Sequence, residues 1–186
     1  MMDERSLSTL PPDLPVPVDD GAAAHLAGTR LPHVSLASTD RTVVELATLP
    51  GAVVVFAYPR TGRPGEPSLV DDWDAIPGAR GCTPHTCGFR DLHAEFTALG
   101  ARVFGLSTQD SSYQREMVER LHVPFPVLSD ADLTLTNALR LPTMEVAGQT
   151  LLKRIAWIAR DGVIARVFYP VFPPDKNAEE VLAALR

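Results

Sequence analysis

Long apolar runs are missing from this chain of 186 residues. The longest, over residues 51–58, stops at Pro59 and is much shorter than the roughly 20 apolar residues that a membrane-spanning helix needs. Residues 1–9 include Asp3, Glu4 and Arg5 and lack the apolar stretch of a signal peptide. We therefore expect a cytoplasmic protein with no membrane partner.

Basic residues are also in short supply, because 17 Lys and Arg residues are set against 23 Asp and Glu residues, for a formal net charge of −6. Such a balance does not supply the long basic surface that neutralises nucleic-acid phosphates, so we expect no nucleic-acid partner. The apolar content of 45% is enough for one substantial core, which favours a single folded domain.

Cysteine occurs only twice, as Cys82 and Cys87. Reducing conditions in the cytoplasm keep structural disulfides open, which argues against a disulfide framework. A close pair of cysteines in that setting indicates redox chemistry or a metal site.

The N-terminal region differs in composition from the rest of the chain. Residues 1–20 hold Pro11, Pro12, Pro15 and Pro17 among acidic residues, which predicts extended and weakly packed backbone. We assign residues 1–30 to a Pro-rich N-terminal tail and residues 31–186 to a single domain.

The domain begins with strand patterns. Two partly alternating segments within residues 31–46 predict a β-hairpin. The continuous β-rich run at residues 52–58 predicts a central strand that is covered on both faces. Prolines, glycines and a cluster of acidic residues then predict a long loop over residues 59–81, with an insertion at residues 60–80.

The remaining elements follow in α/β order. The periodicity predicts a helix over 82–99, a strand over 102–107, helices over 111–122 and 130–139, and strands over 151–159 and 163–169. A last helix begins after Pro174, with a capping box of Asn177 and Glu180. Strand, helix and strand in succession imply a right-handed parallel crossover. The order is that of a thioredoxin-like fold, in which helices flank a central mixed β-sheet.

The cysteine pair lies where a loop meets the first long helix. A thiol is a good nucleophile as thiolate, which the oriented N–H groups of a helix N-terminus favour. Thr83 is a suitable capping residue and Pro84 a suitable first helical residue, which places Cys82 at the mouth of the helix. Cys87 lies about a turn deeper.

The spacing of the two cysteines predicts a conformational change. On an ideal helix, residues five apart have Cα atoms about 8.6 Å apart and point about 140° away from each other. A disulfide tolerates a Cα separation of up to about 7 Å, so a Cys82–Cys87 bond requires the helix to unwind. Gly88 makes unwinding easier, because glycine costs about 1 kcal/mol in a helix interior.

Two other interpretations of the pair remain open. Both cysteines could be small buried apolar residues, although a polar spacer at a loop-to-helix junction suits a core poorly. Cys82, His85 and Cys87 could also bind zinc, but a structural zinc site needs four ligands and no second Cys or His pair has ligand spacing. We therefore expect neither a metal nor a cofactor.

The residues around the pair resemble a known family, the Q-type peroxiredoxins, which are also called bacterioferritin comigratory proteins. The resemblance covers about residues 31–186. Its motifs are GCTPHTCGFRD at residues 81–91, VFGLSTQD at 103–110, FPVLSD at 125–130 and KRIAWIARDG at 153–162, continuing to residues 167–168. The spacing of the cysteines is the most specific of these features.

The resemblance implies a peroxidase mechanism. The peroxidatic thiolate, Cys82, reduces hydrogen peroxide or an organic hydroperoxide and becomes a sulfenic acid, which condenses with the resolving Cys87. Thioredoxin or glutaredoxin then reduces the disulfide. The active-site arginine of the family corresponds to Arg154. Members of this type are often monomers, so a monomer or a weak homodimer is expected.

The chain departs from the family pattern at two positions. The family motif Pro-x-x-x-Thr-x-x-Cys places a proline and a threonine before the peroxidatic cysteine, where this chain has Ala75 and Ala79. Thr61 or Thr83 could supply the missing hydroxyl, or the site could lack it.

Two other functions compete with the peroxidase. A thiol–disulfide oxidoreductase acting on proteins usually has Cys-x-x-Cys, a shorter spacing than is present here. A non-catalytic redox sensor would present the unwound segment to a partner protein, and the departures at Ala75 and Ala79 keep that alternative open.

Overall fold

The structure is a computed structural model that describes residues 3–186. Its strands are β1 (Leu36–Ser38), β2 (Val43–Val44), β3 (Ala52–Ala57), β4 (Ala101–Ser107), β5 (Val127–Ser129), β6 (Thr143–Val146), β7 (Gln149–Leu152), β8 (Ile155–Arg160) and β9 (Val163–Phe168). Its α-helices are α1 (Glu4–Ser8), α2 (Cys82–Asp91), α3 (His93–Ala98), α4 (Ser111–Leu121), α5 (Thr134–Leu139) and α6 (Asn177–Leu185). Each helix within residues 3–186 is too short or too polar to cross a bilayer.

One seven-stranded mixed sheet organises the chain, in the order β2-β1-β5-β4-β3-β8-β9. Strands β3, β4 and β5 are parallel neighbours, whereas β1, β8 and β9 pair antiparallel with theirs. The predicted thioredoxin-like α/β fold is confirmed, including the N-terminal hairpin of β1 and β2.

The central strand β3 is buried along its whole length, as the continuous apolar run predicted. Because side chains alternate along a strand, Val54 and Phe56 face one apolar cluster, together with Phe89 of α2. Val53 and Val55 face a second cluster on the other side of the sheet. Both faces of the sheet are therefore covered at β3.

Cys82 and Arg154 both lie near the carboxyl end of β3. The long loop leaves this end and leads to α2, so Cys82 returns to the same end of the strand. On the neighbouring antiparallel strand, Ile155 pairs with Ala57, which places Arg154 beside the same end of β3. The sheet register therefore brings together residues that lie far apart in the sequence.

The N-terminal region is packed more firmly than its composition predicted. Residues 4–8 form α1 with Leu7 buried, and Leu26 is fully buried in the second cluster. The buried guanidinium of Arg80 donates to the carbonyl oxygens of Ser6 and Thr9. The expectation of weakly packed backbone was therefore wrong at residues 4–8, which form α1, whereas residues 9–20 contain no helix or strand and residues 1–2 lie outside the described residues. The assignment of residues 1–30 as a tail outside the domain stays a prediction.

The helix ends also differ from those predicted. The predicted helix over 82–99 is two helices that meet at Leu92. The helix predicted from residue 130 begins at Thr134, because the Asp130 carboxylate accepts hydrogen bonds from the N–H groups of Leu135 and Thr136 in its first turn. The capping box was wrong as well, since Asn177 is the first residue of α6 and makes no side-chain cap there.

The strand predicted over residues 151–159 is interrupted at residues 153–154. Its first part belongs to the separate β6–β7 hairpin, which the sequence did not indicate, and its second part is β8 in the main sheet. Arg154 therefore lies in the connection between two sheets, where its side chain is not constrained by a strand's alternation.

The predicted long loop after β3 contains only a short 3-10 helix at Trp73–Ala75. Trp73 is buried and packs with Ala79, Val146 and Leu151 in a small third cluster. The β6–β7 hairpin therefore anchors the loop, which holds the residues before Cys82 in place.

Candidate active site

Cys82 is the first residue of α2, and a glycine determines its position. Gly81 precedes the helix with φ 103°, a left-handed conformation that side chains disfavour. A Cβ at this position would lie 2.5 Å from Cγ of Pro174 and 2.8 Å from Cδ2 of Leu10. The helix starts two residues earlier than the predicted first residue Pro84, so Thr83 is not its cap. Pro84 still loses no helical hydrogen bond, because it lies within the first turn.

The sulfur of Cys82 lies in a nearly closed site, with 4% of the residue exposed. The Nη2 atom of Arg154 donates to it over 3.2 Å, and the thiol can donate to the carbonyl oxygen of Ala79 over 3.6 Å. A guanidinium hydrogen bond is strong when its acceptor is an anion, so this contact is suited to stabilise negative charge that develops on the sulfur. The first turn of α2 adds the positive end of the helix dipole.

Backbone carbonyl groups hold the guanidinium of Arg154 in place. Its Nη2 atom is 3.2 Å from the carbonyl oxygens of Gly78 and Ala79 and 3.1 Å from that of Arg80. The turn before Cys82 therefore aims three dipoles at the arginine. Arg154 is itself 3% exposed, and these acceptors compensate for its buried charge.

The other end of the guanidinium contacts His85. Its Nη1 atom is 3.0 Å from Nδ1 of His85, whose Nε2 atom is 2.9 Å from Oδ1 of Asn177. All three side chains are buried. His85 was considered as a zinc ligand with the two cysteines, but both of its ring nitrogens are hydrogen-bonded to protein groups.

Cys87 lies on the same helix in different surroundings. It is partly buried against the apolar cluster around Phe89, and burial raises the pKa of its thiol, while the Arg90 charge partly offsets this. Both cysteines are free, and they lie five positions apart on the regular helix α2. The structure therefore brings Cys82 together with Arg154 and leaves Cys87 apart from both.

A pocket with about 490 Å³ of empty space lies beside Cys82. Leu7, Leu69 and Trp73 give it an apolar wall that comes from α1 and the long loop. The two candidate hydroxyl donors, Thr61 and Thr83, also line it.

The two threonines differ in how they are held. The Thr61 hydroxyl donates to Oε1 of Gln109 over 3.1 Å, and the Thr61 backbone exchanges two further hydrogen bonds with the same side chain. Thr83 follows Cys82 directly on the helix. Ala79, which stands where the family has threonine, packs into the third cluster instead.

Sequence reasoning missed three residues that shape this site. Gly81 carried only a weak signal, because glycine tolerates a left-handed conformation but the residue before a helix is usually extended. His85 is three residues after Cys82, so helical periodicity places both on one face. Asn177 carried no such signal, because its contact with His85 joins residues 92 apart.

Comparisons with known proteins agree with this geometry. The family model described as Redoxin matches residues 26–182. The chain is 27% identical to the chloroplastic peroxiredoxin Q of Oryza sativa subsp. japonica over 86% of its own length. It spans 66% of that relative, a little under two thirds.

Two solved structures are similar over most of their length. The crystal structure of peroxidoxin BcpB from Mycobacterium tuberculosis has a TM-score of 0.69 and 27% identity, covering 86% of this chain and 96% of that one. The reduced Prx3 of Vibrio vulnificus, in complex with H2O2, has a TM-score of 0.66 and 26% identity, covering 86% and 98%. From these matches and the site geometry, the chain belongs to the Redoxin family and is a Q-type peroxiredoxin.

Proposed function

We propose that this protein is a thiol-dependent peroxidase that reduces hydrogen peroxide and organic hydroperoxides. The observation that carries the proposal is the 3.2 Å contact of Arg154 Nη2 with Sγ of Cys82, a residue that also lines a pocket of the protein surface. A thiolate beside a fixed cation, at a helix N-terminus, is suited to attack the electrophilic oxygen of a peroxide.

The first step forms a sulfur–oxygen bond and breaks the oxygen–oxygen bond. The Cys82 thiolate attacks one peroxide oxygen, and the other leaves as water or an alcohol after it takes up a proton. Arg154 stabilises the negative charge that moves from sulfur to the departing oxygen. The two-electron oxidation converts Cys82 to a sulfenic acid.

The second step joins the two cysteines. The thiol of Cys87 attacks the sulfenic sulfur of Cys82, which forms a disulfide and releases water. On intact α2 the two Cα atoms are about 8.6 Å apart, beyond the roughly 7 Å that a disulfide tolerates. Residues 82–88 must therefore unwind. Unwinding also exposes Cys87 to solvent, which removes the burial that raises its pKa.

A protein dithiol completes the cycle in this proposal. The unwound segment presents the disulfide to thioredoxin or glutaredoxin, whose thiolate attacks it through a mixed disulfide. The cytoplasmic location and the monomeric or weakly dimeric state belong to the same proposal. The rice relative is named as chloroplastic, so the compartment differs among similar proteins.

A coupled assay tests the activity. With thioredoxin, thioredoxin reductase and NADPH, the protein should consume NADPH in proportion to added hydrogen peroxide. Cys82→Ser should abolish this consumption, whereas Cys87→Ser should allow one round of oxidation and then stall. Full activity in Cys82→Ser would contradict the proposal.

The same assay separates the competing functions. Reduction of insulin disulfides without peroxide consumption would indicate a thiol–disulfide oxidoreductase. A disulfide that forms with peroxide but is never recycled would indicate a redox sensor.

A further inference from the structure

His85 is a fully buried polar residue on α2, three residues after Cys82. Its ring packs edge-on against the stacked rings of Phe56 and Phe89, with centroid distances of 5.0 and 5.5 Å. A histidine surrounded by aromatic rings needs hydrogen bonds for both nitrogens, because an unpaired buried polar atom is costly. Arg154 and Asn177 supply them.

The chemistry of the two partners fixes the tautomer of His85. A guanidinium has only donors, so Nη1 of Arg154, 3.0 Å away, requires a lone pair on Nδ1. The ring proton is therefore on Nε2, which donates to an acceptor 2.9 Å away, Oδ1 of Asn177. The same requirement fixes the orientation of the amide, since its NH2 group could not accept this proton.

A neutral imidazole leaves the charge of Arg154 intact. Burial and the adjacent arginine hold the pKa of His85 well below its usual range, although the hydrogen bond to Asn177 opposes this. A carboxylate in the same position would pair with the guanidinium and reduce its attraction for the sulfur. His85 instead orients the guanidinium through a lone pair and adds no opposing charge.

We propose that His85, held by Asn177, is a positioning residue that aims Arg154 at Cys82. The chain of contacts runs from the start of α6 through α2 to the β7–β8 connection and ends at the sulfur. The Nη1 atom of Arg154 is held by His85, and its Nη2 atom is held by the carbonyl groups before Cys82. The inference deepens the proposed function and rests on it for the peroxide step only.

Two substitutions of His85 separate positioning from packing. In His85→Asn the amide oxygen can take the place of Nδ1 and accept from Arg154, although the side chain leaves a cavity. In His85→Gln the amide group reaches the place of Nε2, fills more of the space and removes the acceptor beside Arg154. Positioning therefore ranks Asn above Gln, whereas packing alone ranks Gln above Asn.

The variants should be compared in a Cys87→Ser background, in which Cys82 is the only thiol. One measurement is the rate of alkylation by iodoacetamide, and the other is the rate of oxidation by hydrogen peroxide. We expect His85→Asn to stay within about threefold of the parent and His85→Gln to fall by about tenfold or more in both, as misplacement of a catalytic group predicts. The same pair of substitutions at the partly exposed His93 is the control and should change neither rate.

Equal rates for His85→Asn and His85→Gln, or a faster Gln variant, would overturn the inference. Should both variants unfold, as judged by circular dichroism, Asn177→Ala provides the test. We expect both rates to fall several-fold in this variant, and unchanged rates would contradict the inference. Alkylation needs no peroxide chemistry. The expected ranking in alkylation with no peroxide reduction by the parent would therefore refute the proposed function and leave the positioning role standing.

Discussion

Cys82 and Cys87 share one helix but lie in different surroundings. Cys82 lies at the helix entrance, 3.2 Å from a buried guanidinium nitrogen, where a negative sulfur is stabilised. Cys87 lies deeper against apolar side chains, where burial raises the pKa of the thiol. In the proposed cycle, one segment holds a reactive sulfur and a protected one, and helix unwinding is the step that lets them meet.

Of the changes considered, removal of the Arg154 charge should alter the reactivity of Cys82 the most. Arg154→Met takes away the hydrogen-bond donor nearest the reacting sulfur, and loss of such a donor costs about 10²- to 10³-fold in rate. We expect the second-order rate constant for oxidation of Cys82 by hydrogen peroxide, followed by stopped-flow fluorescence, to fall by that factor. Arg160→Met, at an exposed arginine of the same strand region, is the matched control. A loss below about threefold would show that Arg154 does not stabilise the reaction.

Substitution of Gly81, the residue before α2, should have the next largest effect. Gly81→Ala introduces a Cβ 2.5 Å from Pro174 and forces a side chain into a left-handed conformation. Gly100→Ala is the matched control, because its φ is 71° but no atom lies within 4 Å of the new Cβ. We expect Gly81→Ala to lower the free energy of unfolding by about 2 kcal/mol more than the control, measured by urea denaturation. Equal losses would mean that contact with Pro174 does not position the entrance of α2.

Substitution of Gly88 tests whether helix unwinding controls the pairing of the two cysteines. A Cβ at Gly88 would lie 3.4 Å from Cβ of Ala178 and 3.5 Å from the carbonyl oxygen of Asp175, which are ordinary contacts. Gly88→Ala should therefore stabilise helical α2 by about 1 kcal/mol and slow disulfide formation about fivefold.

Quenched-flow mass spectrometry should separate the sulfenic acid of this variant from the disulfide, with the oxidation of Cys82 unchanged. Ala98→Gly, which changes helix propensity in α3 instead, is the control. Disulfide formation as fast as in the parent would contradict unwinding as the slow step.

The rate of disulfide formation should also depend on pH through Cys87. Because burial raises the pKa of this thiol in the helical state, the thiolate form is favoured when the helix unwinds. The stabilisation of the helical state is complete below the ordinary thiol pKa of about 8.5 and is lost as the pH rises through the raised value. Disulfide formation should therefore accelerate as the pH rises past the ordinary thiol pKa, by about threefold over the first unit above it. A rate that falls over this range would contradict the assignment.

The parts of the fold that the sequence predicted depend on local patterns. The apolar run at residues 52–58 identified β3, and the loop-to-helix junction identified Cys82 as the entrance of α2. Arg154 was assigned through family resemblance, and the register of Ile155 with Ala57 explains its position beside Cys82.

Other features depend on contacts that no local pattern carries. The composition of residues 1–20 indicated extended backbone, but residues 4–8 form α1, and the buried Leu7 and the hydrogen bonds from Arg80 hold this helix beside the site. Asn177 looked like a helix cap, but its side chain accepts from His85 instead. Propensity describes a segment by itself, whereas the conformation and contacts of these residues depend on the parts of the chain that pack against them.

Amide hydrogen exchange of residues 83–89 in the two redox forms tests the central claim most directly. The reduced protein should protect the amides of residues 85–89, which donate to carbonyl oxygens of α2 and its cap, and the disulfide form should exchange them much faster, with β4 unchanged in both. Equally slow exchange in the two forms would show that the cysteines pair without unwinding, which contradicts the account.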